Sequence, residues 1–245
     1  MAVIVEVCIA SVEDAIVAER GGADRVELNA ALQLGGLTPS IGLLREVKSA
    51  ISIPVITMLR PRAGNFSYAE SEFQVMLRDA DLLLENGANG LAFGFLNDGC
   101  GVDTKRTRAI CRRVGAAEAV FHRAFDFTHD MTGATDQLID CGIKRLMTSG
   151  GKQTAMKGID QIRKIVDFAA GRIEVLPASG IGPDNALAII QKTACNQLHG
   201  SFSIPSEVTN VNLSGELSLA DPKIENCSKT DINTLIKLIK SLNRS

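Results

Sequence analysis

Short apolar runs alternate along the chain with longer segments of helical pattern. VIVEVCI (3–9) opens the series. RVELN (25–29), PVITMLR (54–60), GLAFGF (90–95), AVFHRA (119–124), RLMTSG (145–150), IEVLPA (173–178) and QLHGS (197–201) continue it. These eight runs read as β-strands. The intervening pattern predicts helices from the Ser11 cap to Gly21-Gly22, from Thr38-Pro39 onward, over 69–86, and near 104–114, 132–141, 155–170 and 184–193. INTLIKLIKSL predicts a last helix close to the end of the sequence.

The joints between helix and strand repeat a phrase. GADRVEL (22–28), GANGLAF (87–93) and CGIKRLM (141–147) each set Gly after a helix and an apolar strand soon after it. Gly ends a helix at low cost because it accepts the left-handed conformation. Eight strands, each followed by a helix, in about 250 residues most often close into a (β/α)8 barrel. The expectation is one such domain over 1–245, with a polar excursion at about 206–230 that is too long for an ordinary connection. An open doubly wound sheet is the runner-up, but no GxGxxG follows the first strand.

In a barrel the reactive groups sit at the C-terminal ends of the strands, and those ends are polar here. Strand 1 carries Glu6 and Cys8, strand 2 Glu27 and Asn29, strand 3 Arg60 and Arg62. Strand 5 ends in FHRAFD, strand 6 in Thr148-Ser149-Gly150, strand 8 in His199-Gly200-Ser201. Alternation puts Glu6 and Cys8 on one face of their strand, and Glu27 and Asn29 on one face of theirs. Both faces point into the barrel, with Arg60 and His122 as expected partners of the carboxylates. Glu27, His122 and Asp126 are therefore the catalytic candidates, and Glu6, Arg60, Ser149 and His199 the ligand-binding ones. Cys8 is the candidate metal ligand, together with His122 or His199. Plainer readings stand beside these. Cys8 can be a small core residue, Glu6, Glu27 and Arg60 an ion network plugging the barrel, and Arg123, adjacent to His122, a brace facing away from the pocket.

Composition narrows the class. The chain is 45% hydrophobic and 22% charged with a net charge of -2, which argues against a general nucleic-acid binder. No apolar run approaches the roughly 20 residues needed to span a bilayer. MAVIVEVCIA lacks a basic leader and carries Glu6, so it reads as a strand rather than a signal peptide. Six scattered cysteines without a CxxC pair argue against a structural zinc site or a disulfide framework, and point to a reducing, intracellular setting.

The blocks EVC (6–8), RVEL (25–28), GGLTPS (35–40), RPR (60–62) and FHRAFD (121–126), in that order, resemble the CutC family, described as copper homeostasis proteins. The resemblance runs from residue 5 to about 202. It implies a β/α barrel, a homodimer or homotetramer, a cytoplasmic or also nuclear location, and Cu(I) as ligand through cysteines. The second reading is an enzyme acting on a small anionic or phosphorylated metabolite held by Arg60 and the turns after strands 6 to 8. Some positions depart from the family pattern. Asn29 stands where a second cysteine is common, and Ala63 and Asn65 alter an R-P-R-G-G-D block. A thiolate pair suits Cu(I) and an amide oxygen does not, so Cu(I) binding is expected to be weak or substoichiometric.

Overall fold

The computed structural model describes residues 3–205 and 228–242. Its eight parallel strands are β1 (Ile4–Ile9), β2 (Arg25–Leu28), β3 (Val55–Met58), β4 (Gly90–Phe93), β5 (Glu118–Phe121), β6 (Arg145–Thr148), β7 (Glu174–Pro177) and β8 (Gln197–Gly200). They pair in the order β7-β6-β5-β4-β3-β2-β1-β8. The parallel bridge Ala178↔His199 joins the two ends and closes the ring. That seam is the thinnest joint: β1 pairs with β2 over four positions, whereas β7 meets β8 through this bridge among the described residues.

The helices are α1 (Val12–Arg20), α2 (Ile41–Ala50), α3 (Glu70–Glu85), α4 (Thr104–Val114), α5 (Met131–Cys141), α6 (Ile159–Ala169), α7 (Ala186–Thr193) and α8 (Ile232–Leu242). Local chemistry sets their ends. Ser11 accepts from Asp14 N and Ser40 from Leu43 N, so Pro39 precedes the cap of α2 instead of opening the helix. Gly22, Gly87 and Gly142, the glycines of the repeated phrase, all have positive φ. α6 starts later than its pattern suggests. Residues before it form turns, and Ala155 N donates to Ser179 O across to the neighbouring loop.

The outward strand residues Val5, Val7, Ile9, Val26 and Leu28 are buried in the main core beneath the helices. The inward faces divide. β3, β4 and β5 supply apolar Ile56, Met58, Ala92 and Val120, and β6 and β7 supply Met147 and Leu176. β1, β2 and β8 supply buried Glu6, Arg25, Glu27, Gln197 and His199, and β6 adds buried Arg145. The interior is thus mostly apolar on one side and polar on the other, with Arg145 reaching from β6 to the Glu6 side.

Two features were not anticipated. β5 ends at Phe121, and Arg123–Phe127 forms a 3-10 helix with His122 as its cap. The strand alternation expected through residue 124 therefore stops short of Arg123. In addition, β9 (Ser203–Pro205) pairs antiparallel with β10 (Ser228–Thr230). The expected excursion at 206–230 falls, up to residue 227, outside the described residues.

Candidate metal and ligand site

A cavity of about 810 Å³ opens at the C-terminal ends of the strands. Cys8, Glu27, Asn29, Met58, Arg60, His122, Arg123, Met147 and His199 reach it from six strands and the turns that follow them. The loop after β7 adds Ser179 to Ile181, and the end of β8 adds Gly200 and Ser201.

Cys8, Glu27 and His199 form a cluster in which one donor atom from each lies within 4.8 Å of the others. Neighbouring strands create it, since β1 sets Cys8 opposite Glu27 on β2 and Glu6 opposite His199 on β8. Asn29 Nδ2 donates to Glu27 Oε2 at 2.9 Å and to Cys8 Sγ at 3.4 Å. Glu27 Oε1 and Asn29 Oδ1 are buried without a hydrogen-bond partner among the described residues. Burial pushes the Cys8 thiol well up, reinforced by the charges of Glu27 and Glu6. Burial also raises Glu27, and the attraction of His199 only partly offsets it.

Beneath the cluster lies the Glu6 network. His199 Nδ1 is 2.7 Å from Glu6 Oε1, and His199 Nε2 is 3.9 Å from Glu27 Oε2. Arg25 Nε pairs with Glu6, and Arg25 Nη2 donates to Gln197 at 2.7 Å. Arg145 stands 4.0 Å from Glu6 and pairs with Glu118 at 2.7 Å and Glu174 at 3.0 Å. Burial alone would raise Glu6, but the His199 hydrogen bond and the two guanidiniums outweigh it and hold Glu6 at about 2. His199 moves the other way. Burial works against its charge, yet Glu27 and Glu6 overcome that and raise it.

The opposite wall is different. His122 Nδ1 accepts the Ala124 N–H at 3.1 Å. Burial and then the Arg60 charge depress His122 to about 3. The neutral ring therefore carries its proton on Nε2, and that atom is buried with no partner among the described residues. Expected as a base, His122 is built instead as a fixed N–H donor. Gly94 makes room for it, because a Cβ there would stand 2.5 Å from His122 Cε1. Phe66 packs against the same ring at a centroid distance of 5.1 Å.

Arg60 does not pair with Glu6 or Glu27, contrary to expectation. Its terminal nitrogens donate to three loop carbonyls, Leu34 at 3.0 Å, Gly36 at 3.2 Å and Gly64 at 2.9 Å. Its guanidinium lies 5.1 Å from the Phe66 ring centre. The partners taken by Glu6 are Arg25 and Arg145, which the strand-end reading missed. Period-2 alternation back from Glu27 would have found Arg25.

Asp126 and Ser149 are placed apart from the cavity. Asp126 accepts from Thr148 Oγ1 at 2.6 Å, Ser149 Oγ at 2.9 Å, Arg123 Nε at 2.9 Å, and the N–H groups of Ser149 and Gly151. A carboxylate so fully bonded has no lone pair left to take a substrate proton, so the catalytic expectation for Asp126 is corrected to a brace for the loop after β6. Ser149 is bound into the same brace and does not line the cavity. Arg123, expected to face away, does line it, because the 3-10 turn redirects its side chain.

Residues 3–204 match the family model described as the CutC family. The chain belongs to the CutC family. A Treponema denticola protein described as a CutC family protein is 42% identical over 242 residues, spanning 97% of this chain and 98% of its own. A human protein described as a copper homeostasis protein cutC homolog is 37% identical over 248 residues, spanning 98% of this chain and 90% of its own. The crystal structure described as a copper homeostasis protein CutC from Streptococcus agalactiae superposes with a TM-score of 0.78 at 30% identity, covering 81% of this chain and 98% of that one. In this CutC chain, among the described residues, Cys8 is the one thiol lining the cavity, and Met58 and Met147 bring thioethers to the same cavity. No helix among the described residues is long and apolar enough to cross a membrane.

Proposed function

We propose that this chain serves copper homeostasis by holding one exchangeable copper ion between Cys8, Glu27 and His199. The convergence of these three donors within 4.8 Å at the cavity floor carries the reading. The names of the human and other relatives support copper as the ion.

The donor chemistry fits a copper ion only in part. A thiolate and an imidazole suit copper, whereas a carboxylate favours harder divalent ions. Glu6 holds the His199 ring through Nδ1, which leaves Nε2 for a metal once it is deprotonated. This is the carboxylate–histidine support that metal sites use to orient an imidazole. With one thiol and Asn29 in place of a second, Cu(I) binds weakly and leaves readily, as suits a carrier more than a sequestering store. A reducing compartment, the cytoplasm or nucleus, keeps Cys8 a free thiol, and a homodimer or homotetramer completes the reading.

A competition titration of reduced protein against a chromogenic Cu(I) chelator tests it. The expected result is measurable but incomplete retention of Cu(I) by the wild type, abolished in Cys8→Ser. Retention unchanged in Cys8→Ser, or none in the wild type, overturns the site. Tight one-to-one binding lost in Cys8→Ser keeps the site and overturns its exchangeable character.

A further inference from the structure

The metal cluster uses one wall of the cavity, and the opposite wall has its own chemistry. Arg60 is 6% exposed and His122 4%. Among the described residues no carboxylate lies within ion-pair distance of Arg60, and Arg60 Nε and His122 Nε2 are both buried without a partner. Arg123 lines the same wall, and among the described residues its carboxylate partner is Asp126. Both guanidiniums are close enough to His122 to oppose its protonation. Two buried N–H donors on this side thus lack a partner, and the Arg60 charge has no carboxylate counter-charge, among the described residues. Burying such groups unpaired is costly. A purely structural Arg60 would explain its three loop carbonyls, but not the donor at His122.

The rest of the cavity says what kind of anion fits. Its volume of about 810 Å³ is in the range of about 300–1,000 Å³ typical of small-molecule sites, far beyond a bare inorganic ion. Met58, Phe66, Met147 and Ala178 give it apolar lining for a carbon skeleton. On the far side Glu27 Oε1 and Asn29 Oδ1 are buried acceptors without donors. They ask for a hydroxyl at the other end of the ligand.

We propose that the cavity binds a small hydroxylated organic anion, its oxyanion held by His122, Arg60 and Arg123 and its hydroxyl directed to Glu27 and Asn29. The shared chemistry covers hydroxy acids and sugar phosphates. In either case His122 is a hydrogen-bond donor to the anion, and no bond is made or broken in this binding step.

Calorimetric titration with glycerate, glycerol 3-phosphate and glycerol at constant ionic strength tests the proposal. The probes share a skeleton and differ in the anion. Millimolar binding of glycerol 3-phosphate assigns the phosphate class, and binding of glycerate the hydroxy-acid class, while glycerol binds far more weakly. His122→Asn keeps an acceptor for the Ala124 N–H and removes the Nε2 donor. Since hydrogen bonds to charged groups are strong, it should weaken the anion about tenfold or more. Arg123→Met, at a partly exposed position, should weaken it in the same direction and serves if His122→Asn does not fold. Wild-type protein stripped of metal with a chelator should bind the anion with the same affinity as protein titrated with Cu(I), so loss of copper binding leaves this proposal standing and loss of anion binding leaves the copper reading standing. Failure of both anions to bind, or affinity unchanged in both His122→Asn and Arg123→Met, overturns the proposal.

Discussion

His199 and Glu6 are joined by a buried contact of 2.7 Å between Nδ1 and Oε1, and this contact ties the cavity to the plug beneath it. The imidazole presents one nitrogen to the cavity cluster and the other to a carboxylate that Arg25 and Arg145 also hold. Any change at Glu6 is therefore felt at two levels, in the stability of the barrel and in the position of a candidate metal ligand.

Glu6→Gln tests both. The substitution keeps the shape but leaves the buried Arg25 without its carboxylate and weakens the compensation of Arg145. Breaking a buried ion pair by removing one partner costs about 3–5 kcal/mol, so a drop of that order is expected in urea unfolding. The same variant loosens the support of His199 and should lower copper affinity about 10–100-fold. A loss of affinity with no loss of stability would show that the plug is not structural.

The metal cluster should bind with strong pH dependence. Cys8 and His199 both have raised pKa values, so each holds to higher pH than usual the proton that a metal must displace. Binding then releases protons, and affinity rises with pH as long as these ligands remain protonated. His199 also has a stability signature of opposite sense. A histidine with a raised pKa contributes stability that is complete below its unfolded value near 6.5 and is lost as pH rises through the folded value. The difference in unfolding free energy between wild type and His199→Gln, measured in metal-free buffer, should shrink as pH increases. A flat difference would contradict the raised pKa of His199.

His122 should behave as the opposite kind of histidine. Its pKa of about 3 keeps it neutral across the physiological range, and the unfolded chain gains a proton near pH 6.5 that the folded one refuses. Its contribution to stability is thus complete above that pH and falls as pH drops toward 3. The NMR resonance of its Cε1 proton should stay flat from pH 8 to below 5. A midpoint near 6.5 for His122 would remove the fixed-donor description.

Asp126→Asn addresses the brace after β6. The amide keeps the volume but turns two acceptor oxygens into one acceptor and one donor. The donor then faces the N–H and O–H groups of Thr148, Ser149 and Gly151. Losing charge-assisted bonds of this kind and misaligning a buried donor should cost about 2–4 kcal/mol. Arg123, freed from its partner, should increase anion affinity if it changes at all. Anion binding abolished with stability intact would instead make Asp126 part of the site.

Much of this was written in the chain and some was not. Alternation alone put Glu6, Cys8, Glu27 and Asn29 inside the barrel, and the repeated glycine phrase fixed three helix ends. The pairing of charges was less legible, because partners across a barrel depend on the stagger between strands, which no single strand reveals. Position at a strand end makes Arg60 the expected partner for the carboxylates, yet it turns to the carbonyls of Leu34, Gly36 and Gly64, whereas Arg25 on the adjacent strand meets Glu6. FHRAFD misled for a local reason. His122 caps its own following turn, so a period of two no longer governs Arg123, and the orientation of that side chain could not be extrapolated from the strand.

The bridge Ala178↔His199 has a mechanical meaning. A ring of strands is as firm as its least-fastened neighbour pair, and here that pair carries His199 on one edge and leads into the Ser179–Ile181 loop on the other. An occupant touching both edges acts as a rivet across the gap. The amides of β7 and β8 should exchange with solvent faster than those of β1 and β2 in the empty protein and slow the most when the cavity fills. The barrel would then report its own cargo through the tightness of its weakest joint.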